Sequence, residues 1–105
     1  VGKKLQQVII HGSPDLGLPQ NLKDMGFIER AIENAAKAKE SQPDAVILVR
    51  LIGYFAFGDD AEVLNKVLNK EILKYRGTKY SHFPIDALAS NLPLLIRKGY
   101  RVAII

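Results

Sequence analysis

Residues 43–68 read PDAVILVRLIGYFAFGDDAEVLNKVL, and three kinds of local order follow one another within them. The run AVILVRLI, residues 45–52, is nearly continuous apolar and rich in β-branched side chains, which predicts a central strand buried on both faces. Pro43, just ahead of it, stops the helix that comes before. Tyr54, Phe55 and Phe57 then stand between Gly53 and Gly58, a pattern that offers rings outward from a flexible segment rather than from a regular strand. Asp59 or Asp60 is the expected N-cap of the next helix, which carries Leu64, Val67 and Leu68 inward.

Toward the N-terminus, Phe27, Ile28, Ala31, Ile32 and Ala35 recur at the spacing of one buried helical face, with Glu29, Arg30, Glu33 and Lys37 on the other side. LQQVII, residues 5–10, reads as a short strand, and HGSPDLGLPQN, residues 11–21, as a loop. Toward the C-terminus, EILKYRGTKYSHFPI, residues 71–85, gives two strand-like pieces around a turn at Gly77. Ile85, Leu88, Leu92, Leu95 and Ile96 form a further helical stripe that Gly99 closes, and Pro93 is expected to kink it or to start a new segment. YRVAII, residues 100–105, is the last strand. The order strand, helix, strand, helix, hairpin, helix, strand predicts one α/β domain over residues 1–105, a mixed β-sheet flanked by about three helices.

Composition narrows the chemistry. The 105 residues are 48% hydrophobic and 25% charged, as in an ordinary globular domain with one core. There is no cysteine, which excludes disulfides and thiolate metal sites. No apolar run reaches the ~18 residues of a membrane span, and the N-terminal segment lacks the features of a signal peptide, so no membrane partner and a cytoplasmic location are expected. Charge is unevenly spread: residues 66–105 carry eight Lys/Arg (66, 70, 74, 76, 79, 97, 98, 101) against Glu71 and Asp86. A basic half of this kind suits a phosphate-rich partner.

Catalytic motifs are sparse. His11, Ser13 and Asp15 are the residue types of a hydrolytic triad, but neighbours in sequence seldom reach triad geometry, and a loop after a strand explains them more simply. His11 and His82 lack partners at metal-ligand spacing. Asp59 and Asp60 ahead of a helix read as caps favoured by its dipole rather than as a metal site. Neither phosphate-cradling glycine motif occurs. No catalytic residue, metal or cofactor is therefore expected, and the chain is expected not to be an enzyme. Binding is better served: Arg76 and Lys79 flank Gly77, with Tyr75 and Tyr80 outside them, and cations interleaved with rings suit phosphate contact plus base stacking.

The same segments carry a resemblance. Gly53, Phe55, Phe57, Asp59, Asp60 and Ala61 fit a G-D-F-Y-E-x-F block followed by a D-D-A helix start, and Tyr75, Arg76 and Gly77 fit a basic turn. Phe83, Pro84, Ala87, Leu88, Leu92, Leu95, Ile96, Gly99, Val102, Ala103 and Ile104 fit a later block. In this order they resemble the N-terminal mismatch-recognition domain, domain I, of MutS-type DNA mismatch repair proteins. The resemblance covers residues 43–105, with the 21–42 helix as a prefix, and leaves residues 1–20 unaccounted for. It implies a fold like that of MutS domain I and a surface on which a phenylalanine wedges beside a mispaired base while a glutamate bonds to that base. This chain departs there. Aligned from Gly53, Phe55 takes the wedge position; aligned back from Asp59, Gly53 takes it and Phe55 takes the glutamate's. The acidic partner is absent in both.

The expected function is thus nucleic-acid binding by a stand-alone, divergent copy of such a domain, which lacks the family's ATPase part. DNA is the expected partner, mismatched or distorted duplex included. Lys74, Arg76 and Lys79 would contact phosphates, and Tyr54, Phe55 and Tyr80 would stack. The alternative is a protein-interaction module of the same fold, signalled by an exposed apolar patch that includes Phe57 and Phe83.

Overall fold

A computed structural model describes residues 8–10 and 26–105. Its elements in chain order are β1 (Val8–Ile10), α1 (Gly26–Ser41), β2 (Ala45–Arg50), β3 (Gly53–Phe57), α2 (Asp59–Leu68), β4 (Leu73–Tyr75) and β5 (Thr78–Pro84). A 3-10 turn (Ile85–Ala87), α3 (Leu88–Arg97) and β6 (Arg101–Ile104) complete it. The strands form one six-stranded sheet in the order β1-β6-β2-β3-β5-β4. β6 lies parallel to both β1 and β2, whereas β2, β3, β5 and β4 are successive antiparallel neighbours. The sheet is mixed and the fold α/β, as expected. No helix among the described residues is long and apolar enough to cross a membrane.

Strand alternation divides the core between the two faces. Val46, Leu48, Tyr54, Ala56, Phe83, Val102 and Ile104 point to the side covered by α2 and α3, where they meet Leu64 and Leu95. Ala45, Ile47, Val49 and Ala103 point to the other, where Ala31 and Ala35 let α1 approach closely. Residues 45–49 are all buried, which bears out β2 as the central, doubly covered strand.

The glycine-flanked aromatics are not a flexible perch. They form β3, fully laddered to β5 from Gly53↔Pro84 to Phe57↔Tyr80. Gly53 is required by space: a Cβ there would lie 2.7 Å from the carbonyl oxygen of Phe83. Period-two alternation then sends Tyr54 and Ala56 to one face and Phe55 and Phe57 to the other.

Neither Asp59 nor Asp60 caps α2 through its side chain; Gly58 occupies the N-cap. Asp60 is buried and serves the sheet instead. β2 and β3 pair only at Val49 and Arg50, and the N–H of Ile47 donates to Asp60 Oδ2 at 3.0 Å. Pro93 starts no new segment, since α3 runs through it from Leu88 to Arg97. The hydrogen bond it forgoes is that of Ala89, an exposed residue whose carbonyl water can serve. Gly99, at φ 96°, ends α3 as expected: its N–H reaches the Ile96 carbonyl and the Tyr100 N–H reaches that of Leu95, a Schellman closure.

Candidate nucleic-acid interface

Pairing of β3 with β5 places Phe55 opposite His82 and Phe57 opposite Tyr80. All four side chains lie on the α1 side of the sheet and stand as rungs of one ladder. Phe55 and His82 have ring centroids 4.8 Å apart and planes 20° from parallel. Phe55 and Tyr80 are 5.9 Å apart, and Phe55 and Phe57 6.4 Å. Rings stacked at these distances brace one another. His82 is exposed; Phe55, Phe57 and Tyr80 are half-buried.

Among the described residues, the cover over this ladder ends at the first turn of α1. Between Phe27 and Ile28 of that turn and the rings lies a hollow of about 220 Å³. Ile52, on the short β2–β3 connection, forms part of its lip and is 62% exposed.

The β4–β5 connection is a tight hairpin in which Arg76 and Gly77 both have positive φ, 50° and 84°. Two successive left-handed residues make a primed turn, whose twist suits a hairpin; glycine adopts it freely and arginine only at a cost. The Arg76 guanidinium lies 5.4 Å from the centroid of the Tyr75 ring and donates to Glu29 Oε2 of α1 at 2.8 Å. It is thereby held on the ring face.

Lys74 and Lys79 are directly opposed across the hairpin but on the other face, the side of α2. Lys79 donates to Glu62 of α2, and that bond, with the negative charges of Glu62 and Asp59, holds its ammonium above the ordinary lysine range. Like charges in direct opposition repel, and Glu62 offsets this. Tyr54 is 7% exposed and packs on Phe83 at 5.7 Å, so its ring is spent on the core and has no face for a base. Phe83 is 1% exposed, which removes it from the apolar patch expected of the alternative reading.

Of the six residues expected at the site, Phe55, Tyr80 and Arg76 therefore lie on one face of the sheet, Lys74 and Lys79 on the opposite one, and Tyr54 is buried. Sequence reading missed His82, whose place depends on the β3–β5 register, and Glu29, which fixes the arginine. His11, Ser13 and Asp15 lie outside the described residues. Among the described residues no three His, Asp or Glu side chains converge as a metal site would require.

Comparison with known proteins agrees with this architecture. The family model for MutS domain I matches residues 30–105. The DNA mismatch repair protein MutS of Thermosipho melanesiensis is 40% identical over 67 residues, 63% of this chain and 8% of that protein. That of Thermotoga petrophila is 35% identical over 74 residues, 70% of this chain and 9% of the relative. That of Salinibacter ruber is 36% identical over 74 residues, 65% of this chain and 8% of the relative. The matched stretches thus span less than a tenth of the length of these three relatives.

Proposed function

Since the chain belongs to the MutS domain I family, we propose that it binds nucleic acid, in a role related to mismatch recognition and without chemistry of its own. The observation that carries this reading is that Arg76, tied to α1 through Glu29, and the Phe55–Tyr80 ladder share one face of the sheet: a cation for phosphate and rings for bases on one surface. The relatives are named as DNA mismatch repair proteins, which makes DNA the first partner to test. Lys74 and Lys79 face away from the rings. Their part is to add to the basic field of the hairpin and speed encounter, while Arg76 makes the contact.

A second reading, a protein-interaction module, draws support from Ile52, whose exposed side chain continues the rings into an apolar surface. Fluorescence anisotropy separates the two, with end-labelled homoduplex, a G·T mismatch, a one-base bulge and a single strand at low and moderate salt. Salt-sensitive binding that Arg76→Glu abolishes supports the first. No binding to any of the four at low salt rejects it in favour of the second.

A further inference from the structure

Resting on the nucleic-acid reading above, we infer that the hollow beside the ring ladder seats a single unpaired nucleobase. The strand is read by drawing a base into the protein, and no protein ring enters the duplex.

A wedge must project. Phe55, Phe57 and Tyr80 are half-buried and braced against one another, and Phe55 has neighbouring rings at 4.8, 5.9 and 6.4 Å. Pulling Phe55 out to enter a base step would break all three contacts. The adjacent β3 position on the same face, Gly53, admits no side chain, because even a Cβ would meet the Phe83 carbonyl at 2.7 Å. Neither position thus supplies a projecting ring.

What the surface offers is a slot. The ladder presents near-parallel planes, 19° to 28° apart around Phe55, and a flat ring entering the hollow adds one more rung. Phe27 and Ile28 close the other side with apolar surface. At about 220 Å³ the hollow falls below the range of roughly 300–1,000 Å³ usual for drug-sized ligands and suits one flat heterocycle. A nucleobase fits better than an apolar side chain of a partner protein for two reasons. The exposed imidazole of His82 puts hydrogen-bonding nitrogens at the edge of the slot. Arg76, held to α1 by Glu29, lies on the same face, where the phosphate flanking a withdrawn base can meet it. Unpaired and bulged bases pay least to leave the stack, so selectivity for them follows without any residue that reads a mispair.

The test uses the 105-residue chain and three end-labelled duplexes: one with a bulged 2-aminopurine, one with an abasic residue at the same bulge, and one fully paired. Anisotropy reports binding, and 2-aminopurine emission reports stacking. The expected result is binding about tenfold tighter to the bulged base than to the abasic bulge. It is accompanied by quenching that His82→Ala, a change at an exposed position, weakens and Phe55→Leu removes. Equal affinity for the base and abasic bulges with unchanged emission overturns the seat while leaving nucleic-acid binding intact. Absence of any anisotropy change at low salt overturns the nucleic-acid reading as well, and the hollow then falls to a side chain of a protein partner.

Discussion

The Nζ of Lys39, in the last turn of α1, and the Oδ1 of Asp60, in the first turn of α2, lie 2.8 Å apart and tie both helices to the end of β2. Lys39 also donates to the Ala45 carbonyl at 2.6 Å, and Asp60 accepts the Ile47 N–H at 3.0 Å. One ion pair thus satisfies two backbone groups of β2. Asp60→Ala strands the Ile47 N–H and is expected to cost about 2–3 kcal/mol in urea denaturation, in line with buried bonds to a charged group. Lys39→Ala is expected to cost about 1 kcal/mol or less, because the lysine side chain is 38% exposed and solvent screens it. A larger loss for Lys39 than for Asp60 would show that leaving the Asp60 carboxylate without its cation outweighs the lost bond to Ile47.

On the proposed function, Glu29 would compete with phosphate for Arg76. The pair is exposed on both sides, at 72% and 52%, so stability should change by no more than about 0.5 kcal/mol in Glu29→Gln. Affinity for single-stranded or bulged DNA should instead rise, measured by anisotropy at low salt. Arg76→Gly should relieve the left-handed arginine and raise Tm slightly while lowering the salt slope of binding by about one unit. Unchanged salt dependence in that variant would remove Arg76 from the interface.

Alkaline pH should loosen the hairpin from α2. The Lys79 ammonium is held above the ordinary lysine range, first by its hydrogen bond to Glu62. A raised folded value means that the contribution is complete below the ordinary lysine pKa and is lost as pH climbs through the folded one. Denaturation midpoints across that alkaline window should fall more steeply for the native chain than for Glu62→Gln, and parallel curves would show that the bond contributes nothing.

Gly53→Ala tests why the β2–β3 junction is glycine. The added methyl would press on the Phe83 carbonyl, and a loss of about 1–3 kcal/mol is expected from the forced shift of β5. A neutral substitution would mean that the strands can part without cost.

The regular parts of this fold were legible because each carries its own period. The apolar run of β2, the stripes of α1 and α3, and the Gly99 stop needed no knowledge of neighbours. β3 was misread for a physical reason: Gly53 looks like a hinge, whereas its missing side chain makes room for β5, and only the sheet reveals that. Its alternation was nonetheless present in Tyr54, Phe55, Ala56 and Phe57, and it separates the buried tyrosine from the two phenylalanines of the ladder. Site residues fared less evenly. Basic and aromatic residues of the hairpin were found together, but a strand sends neighbours to opposite faces, so Lys79 and Tyr80 part company. His82, Glu29 and the bridging role of Asp60 depend on partners distant in sequence and leave no local mark.

The mixed sheet has a kinetic consequence. From β2 through β5 every pairing joins neighbours along the chain or a short excursion through α2, so little loop entropy opposes them. β6 belongs between β2 and β1, parallel to both, and must travel back across the molecule to get there. The antiparallel half, which holds the aromatic ladder, is therefore expected to assemble first and to serve as the template on which β6 closes. In pulse-labelled hydrogen exchange during refolding, the amides of Ala56 and Ser81 should gain protection before those of Val102 and Ala103. The aromatic ladder would then exist before the hydrophobic centre of the domain is complete.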